Sequence, residues 1–182
     1  MAFLHNKRKL TQGFSQFELI VVVILISILG TIALNRMWGW RSEVERILVK
    51  TVSGNIRSAL GLETAQLALQ NKLHQLPKLA GGNPFSLLAQ KPDTYLGELS
   101  DKNPLTKKLG VWYYSKEQRV LIYTIKYSDS FKTNLKGQPR VRLKIKLIYS
   151  DTNKNRRYDA GIDGIAGLNL VSLDKYQWVY ED

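Results

Sequence analysis

At 182 residues the chain has room for one ordinary domain and a membrane segment, and its 44% hydrophobic content is that of a globular protein rather than a disordered one. With no cysteine it forms neither a disulfide framework nor a thiolate metal site, and cysteine usage says nothing of its compartment. The formal charge of +12, to which Lys7, Arg8 and Lys9 contribute, favours anionic partners such as lipid headgroups, lipopolysaccharide or nucleic acid and is silent on fold.

The first element in chain order is an apolar run. No charged residue lies between Leu19 and Leu34, and with Phe14 to Phe17 the run reaches the roughly 20 residues that a helix needs to cross hydrocarbon. Ile20, Val21, Val22, Val23, Ile24, Leu25, Ile26, Ile28 and Leu29 cover every side of such a helix, whereas a soluble core helix keeps a polar face. Arg36, Trp38, Trp40 and Arg41 suit the far interface, and the basic cluster in front predicts a cytoplasmic N-terminus with the head outside. A secretory signal peptide places its small-residue cleavage site after the apolar stretch; here a glycine, Gly13, stands before it, followed by Phe14 and by the carboxylate of Glu18.

Lys7-Arg8-Lys9, Gly13, Phe14, Glu18 and the apolar run Leu19 to Leu34 together resemble the prepilin leader of the type IV pilin and type II secretion pseudopilin superfamily. The resemblance implies cleavage between Gly13 and Phe14 by a prepilin peptidase, N-methylation of Phe14, and a pilin-like α+β fold. It also implies that Glu18 pairs with the Phe14 amine of a neighbouring subunit and sets register as subunits leave an inner-membrane assembly platform for a filament. Opposite charges attract strongly at low dielectric and are costly to leave unpaired, so such a pair rewards one register. The same resemblance implies a non-enzymatic minor pilin or pseudopilin, with an accessory pilin of a mannose-sensitive-haemagglutinin-type pilus as one subclass, anchored in the inner membrane with a periplasmic head. Ser15-Gln16-Phe17 stands where the family commonly has Thr, Leu and Ile or Val, and Asn35 where many major pilins have proline. The alternative from the residues alone is a single-span protein whose basic extracytoplasmic head binds an anionic ligand such as DNA or surface polysaccharide.

Beyond the interface, Val44, Ile47, Leu48, Thr51, Val52, Ile56, Ala59, Leu60 and Leu67 recur at spacings of three and four, with Arg41, Glu45, Lys50 and Arg57 mostly between them. Ser42 and Glu45 have the spacing of a capping box, but no proline intervenes from Phe14 to Gln75, so one continuous helix with a soft point at Gly39 is expected. The organisation read from the sequence is a leader over 1–13, a transmembrane helix over 14–35, an amphipathic stalk helix over 36–75, a helix-to-sheet loop region over 76–110 and an antiparallel β-sheet head over 111–182. Pro77 and Gly81-Gly82 are expected to end the helix, with a short helical turn at Phe85 to Ala89. Val111 to Tyr114 and Arg119 to Tyr127 form a predicted hairpin. Arg140 to Tyr149 alternates Val141, Leu143, Ile145, Leu147 and Tyr149 with Arg140, Arg142, Lys144 and Lys146, a core face against a basic exposed one. A last strand is expected at Asn169 to Leu173 or Gln177 to Tyr180.

Catalytic machinery is thin. Beyond His5 in the leader the only histidine is His74, read as a surface residue, and neither a G-x-S-x-G elbow nor a P-loop is present. The most pointed soluble motif is "DTNKNRRYDAGIDG", in which Asp151, Asn153, Asn155 and Asp159 occupy the first, third, fifth and ninth places of an EF-type calcium loop. Arg156 stands at the sixth place instead of glycine, Ile162 at the twelfth, and Asp163 falls one residue late; two arginines inside the loop repel a dication. An Asx-rich turn between strands accounts for the same composition. The basic strand face, with Lys107, Lys108, Lys126, Lys132 and Lys136 near Trp112, Tyr113 and Tyr114, has the ingredients of a nucleic-acid surface, although aromatics on a half-buried sheet more often pack.

Overall fold

The computed structural model describes residues 15–179, apart from the side chains of 35, 38 and 39. It is α+β: an N-terminal helix, α1 (Gln16–Leu69), precedes a mixed five-stranded sheet and a separate two-stranded one. The chain divides into two compact units, with the boundary between Trp40 and Arg41.

In the first unit, Gln16–Leu34 has a mean hydropathy of 2.8 and none of it is buried inside the molecule. This helix is long and apolar enough to serve as a membrane anchor or as a signal sequence. Its two hydroxyls are already satisfied along the helix: Ser27 Oγ donates to the Val23 carbonyl at 2.7 Å and Thr31 Oγ1 to the Ser27 carbonyl at 2.8 Å. Apolar surroundings therefore meet no unpaired hydroxyl there.

In the second unit the inward face of α1 carries Ser42, Glu45, Val49, Ser53, Ile56, Leu60 and Leu67 at spacings close to the helical repeat. The expected stripe is right from Ile56 onward and rotated before it: Val44, Ile47 and Leu48 are exposed, and Glu45 lies inside. The helix also ends earlier than the expected position 75. Asn71 takes a left-handed φ of 56°, its N–H donates to the Ala68 carbonyl and the Lys72 N–H to the Leu67 carbonyl at 2.7 Å. This is a Schellman stop with asparagine in the place glycine usually fills. Pro77 sits inside a following 3-10 helix, Leu73–Leu79, and a second short one, Pro84–Leu87, falls where a helical turn was expected.

The sheet runs β1 (Tyr95–Leu99), β2 (Trp112–Ser115), β3 (Val120–Thr124), β5 (Arg140–Ser150), β6 (Gly164–Ser172), in that spatial order. The β2–β3 hairpin is present, with Arg119 at φ 55° closing it. The sheet is not purely antiparallel as expected, because β1 emerges from the predicted loop region and lies parallel to β2. A parallel neighbour needs a crossover of about a dozen residues, and 100–111 supplies it with a 3-10 turn at Pro104–Lys107. Both alternatives for the last strand are present: β6 starts five residues before the expected Asn169 and joins the main sheet, while the shorter β7 (Tyr176–Trp178) pairs with β4 (Phe131–Thr133) around Phe131, Tyr176 and Trp178.

One core joins the inward stripe of α1 to Phe85, Trp112, Tyr114, Leu121, Tyr123, Leu143, Ile145, Leu168 and Leu170. A smaller cluster of Leu99, Tyr113, Val120 and Ile122 covers the opposite face of β2 and β3, which are therefore buried on both sides. At Gly167, φ is 153° beside a bulge in β6, and a Cβ there would lie in contact with Thr64 Cγ2 on α1 at 3.4 Å.

Burial raises the hydroxyl pKa values of Tyr95, Tyr113, Tyr123 and Tyr176 above the ordinary tyrosine value; Glu45 beside Tyr123 adds to this. Their neutral forms are favoured in the folded state, so this contribution to stability is whole below the free tyrosine value of about 10 and is lost as pH rises through the folded values. Thermal melts should fall in midpoint above about pH 10, together with tyrosinate absorbance appearing on unfolding; a midpoint unchanged up to free tyrosinate conditions would contradict the burial assignment.

Candidate functional site

Gly13 and Phe14, the expected cleavage and methylation positions, lie outside the described residues. Glu18 lies inside them and has a local partner that the sequence reading missed. Its Oε2 accepts the Ser15 N–H at 2.9 Å, and Ser15 Oγ accepts the Glu18 N–H at 3.2 Å. This reciprocal pair is a capping box, announced by Ser15-x-x-Glu18; the same spacing at Ser42 and Glu45 drew attention instead. The cap satisfies two of the donors left over at a helix start and places a carboxylate against the positive end of its dipole.

At Ser42 and Glu45 there is no cap, since α1 continues through them. Glu45 is 5% exposed and is held from the sheet side: Oε1 accepts the Tyr123 hydroxyl at 2.9 Å and the Lys126 N–H at 2.7 Å, and Oε2 accepts the Tyr127 N–H at 2.8 Å. The signal for it was available, because stepping back from Leu60 and Ile56 by threes and fours reaches Val49, Glu45 and Ser42. Arg41 lies over the Tyr127 ring at 5.9 Å on the same corner.

Opposite this inward face, α1 exposes an apolar group of Val44, Ile47 and Leu48 and, beyond the polar Thr51, Asn55 and Ser58, the isolated Leu62 and Leu69, with no charged residue among them. Val44 is 63% exposed, Leu62 71% and Leu69 88%. A helix of a self-contained soluble domain normally turns polar residues to water on this side.

Hydrogen bonds link all five of the expected ligands of the Asp151 to Gly164 loop into one turn. The Asp151 carboxylate accepts the N–H groups of Asn155 and Arg156 at 3.1 and 2.7 Å, and the Nδ2 groups of Asn153 and Asn155 both donate to Asp159 Oδ2 at 2.7 and 2.5 Å. Asp163, 8% exposed, accepts the Thr152 N–H through Oδ1 and the Asp159 N–H through Oδ2, at 2.9 and 2.8 Å. Arg156 takes φ 63°, the left-handed conformation a glycine would take at the sixth place, and Lys154 takes φ 58°. Among the described residues no group of three or more His, Cys, Asp or Glu side chains is placed to share a metal ion. Asp151 and Asp163 accept backbone donors, Asn153 and Asn155 accept the N–H groups two residues on, and Arg156 and Arg157 lie within the loop, the arrangement of an Asx-rich turn. Titration calorimetry of the purified chain should give no calcium heat beyond dilution; a saturable heat abolished by Asp159→Ala would contradict the turn.

The basic face of β5 is less open than its alternation suggested. Arg142 makes a two-pronged ion pair with Asp174 at 2.7 and 2.6 Å, which holds the Asp174 carboxyl below its usual range, and Arg140 donates to the Lys136 and Gln138 carbonyls. Trp112, Tyr113 and Tyr114 are buried and cannot stack on bases. His74 is exposed in the 3-10 helix, and no nucleophile is hydrogen-bonded to it among the described residues. Comparison with protein families, curated proteins and solved structures gives no match.

Proposed function

We propose that the chain is a minor pilin or pseudopilin subunit that assembles through α1 into a type IV pilus or type II secretion pseudopilus, anchored in the inner membrane before assembly with its head in the periplasm. One observation carries this reading: α1 has apolar, charge-free surface that its own fold leaves bare, over Leu19–Leu34 and again at Val44, Ile47 and Leu48, with Leu62 and Leu69 exposed further along. Lipid accounts for the first stretch. The second lies on a helix whose other face is already packed in the core, and neighbouring helices of like subunits would cover it. The leader-like Lys7-Arg8-Lys9, Gly13, Phe14 and Glu18 supply the processing and register elements that such assembly needs. The protein then acts by assembly rather than by catalysis, with prepilin peptidase, sister subunits and an assembly platform as partners.

Glu18 has two roles to separate, the local cap and the pairing with a neighbour's amine. Glu18→Ala should leave leader processing intact and strongly reduce incorporation into filaments, measured as the sheared-filament fraction. Ser15→Ala removes the hydroxyl half of the cap, worth about 1 kcal/mol, and keeps the charge, so it should incorporate nearly normally. Normal incorporation of Glu18→Ala would remove the pairing argument, and equal losses for both variants would assign Glu18 to capping alone.

A further inference from the structure

We propose that the second half of β5 is a docking edge for an extended acidic peptide, which adds to the sheet as a short strand opposite Leu147 and Tyr149. The inference is independent of the assembly reading. β5 runs over eleven residues, yet β3 pairs only with Arg140 to Leu143. Two bonds fix which way the remaining backbone groups point. The Ile125 N–H donates to the Pro139 carbonyl on the β3 side, and the Leu173 N–H donates to the Arg142 carbonyl on the β6 side, at 3.0 Å each. In a strand successive residues turn their backbone groups to opposite edges. Residues 142, 144, 146 and 148 therefore serve β6, and 145, 147 and 149 face away from it. Ile145 confirms the parity, since its carbonyl accepts the Gly81 N–H at 2.9 Å from outside the sheet. Beyond it, no backbone group among the described residues pairs with Leu147 or Tyr149 on that edge.

The edge opens into a groove of about 300 Å³ between Ile145, Leu147 and Tyr149 on one wall and Ala80, Gly81 and Arg119 on the other. Gly81, at φ 69°, ends the slot at Ile145, so an occupant lies opposite Leu147 to Ser150 and is short. An unpaired internal edge is a template for strand addition, in which backbone bonds give affinity and alternate side chains give selectivity. Arg119, Lys144 and Lys146 line the groove and no acidic residue does. Lys144 and Lys146 share one face of β5, while Leu147 and Tyr149 share the other. The fitting occupant thus alternates acidic and apolar residues, its acids beside the two lysines and its apolar side chains beside Leu147 and Tyr149.

The test uses the full chain in detergent micelles with a blocked Glu-Val-Glu-Val-Glu-Val peptide as probe and residue-resolved amide hydrogen exchange as readout. In the free protein the Leu147 and Tyr149 amides should exchange fast while Lys146 and Ile148, bonded to β6, are protected. Saturating acidic peptide should slow Leu147 and Tyr149 by about tenfold or more and leave Lys146 and Ile148 as they were. The Lys144→Glu, Lys146→Glu double variant should keep the β6-side protection and lose the peptide effect. The proposal is overturned if Leu147 and Tyr149 are already protected in the free chain, if peptide at about 1 mM protects neither, or if a Lys-Val-Lys-Val-Lys-Val peptide protects them equally.

Discussion

Glu45→Ala is expected to destabilise the head by about 3 kcal/mol, enough to remove a large share of the stability of a domain this size. The side chain is nearly fully buried and accepts three hydrogen bonds, from the Tyr123 hydroxyl and from the Lys126 and Tyr127 N–H groups. Alanine removes the acceptor from the buried Tyr123 hydroxyl and from two part-buried N–H groups, so desolvation of the tyrosine donor adds to the lost bonds. Glu45→Gln keeps the volume but supplies one acceptor oxygen and turns an amide N–H₂ toward a donor, so it should recover only part of the loss. Urea unfolding of the full chain in micelles, followed by tryptophan fluorescence, measures both. A loss below about 1 kcal/mol for Glu45→Ala would mean that the acid is not the tie between α1 and the end of β3.

Trp112→Ala should cost about 3 to 5 kcal/mol in the same measurement, as expected for emptying a large aromatic site in a rigid core. The ring is fully buried and meets Phe85 edge-on at 5.5 Å and Tyr123 at 4.7 Å between centroids. Its Nε1 has no hydrogen-bond partner among the described residues. An unmade bond of that kind costs about 1 to 3 kcal/mol, so Trp112→Phe, which deletes the orphan donor along with part of the ring, should cost far less than the alanine change. Similar losses for Phe and Ala would show that the indole N–H finds a partner.

Much of this was legible in the residues, and the failures have particular causes. The apolar run and the β2–β3 hairpin followed from composition, periodicity and turn residues. The alternation of Arg140 to Tyr149 gave β5 its inward set, although charge pairing of Arg142 with Asp174 is a long-range event that no local pattern carries. Strand β1 escaped because five residues containing Gly97 and pairing in parallel have no hairpin signal. The helix ends before Pro77 and Gly81-Gly82 because Asn71, a less frequent left-handed residue than glycine, takes the turn first. At Glu18 and Glu45 one spacing, Ser-x-x-Glu, had opposite outcomes. Ser15 lies at a helix start, where backbone donors are free to be capped, whereas Ser42 lies within a continuous helix, where the acid is turned toward the sheet instead.

A bare helix that belongs to a processed, filament-forming subunit leaves its mark on the chain's own N-terminus. Mass spectrometry of membrane-extracted protein, from cells with an active prepilin peptidase, should find a chain that begins at N-methylated Phe14, directly after Gly13. An intact N-terminus at Met1 under those conditions would contradict it.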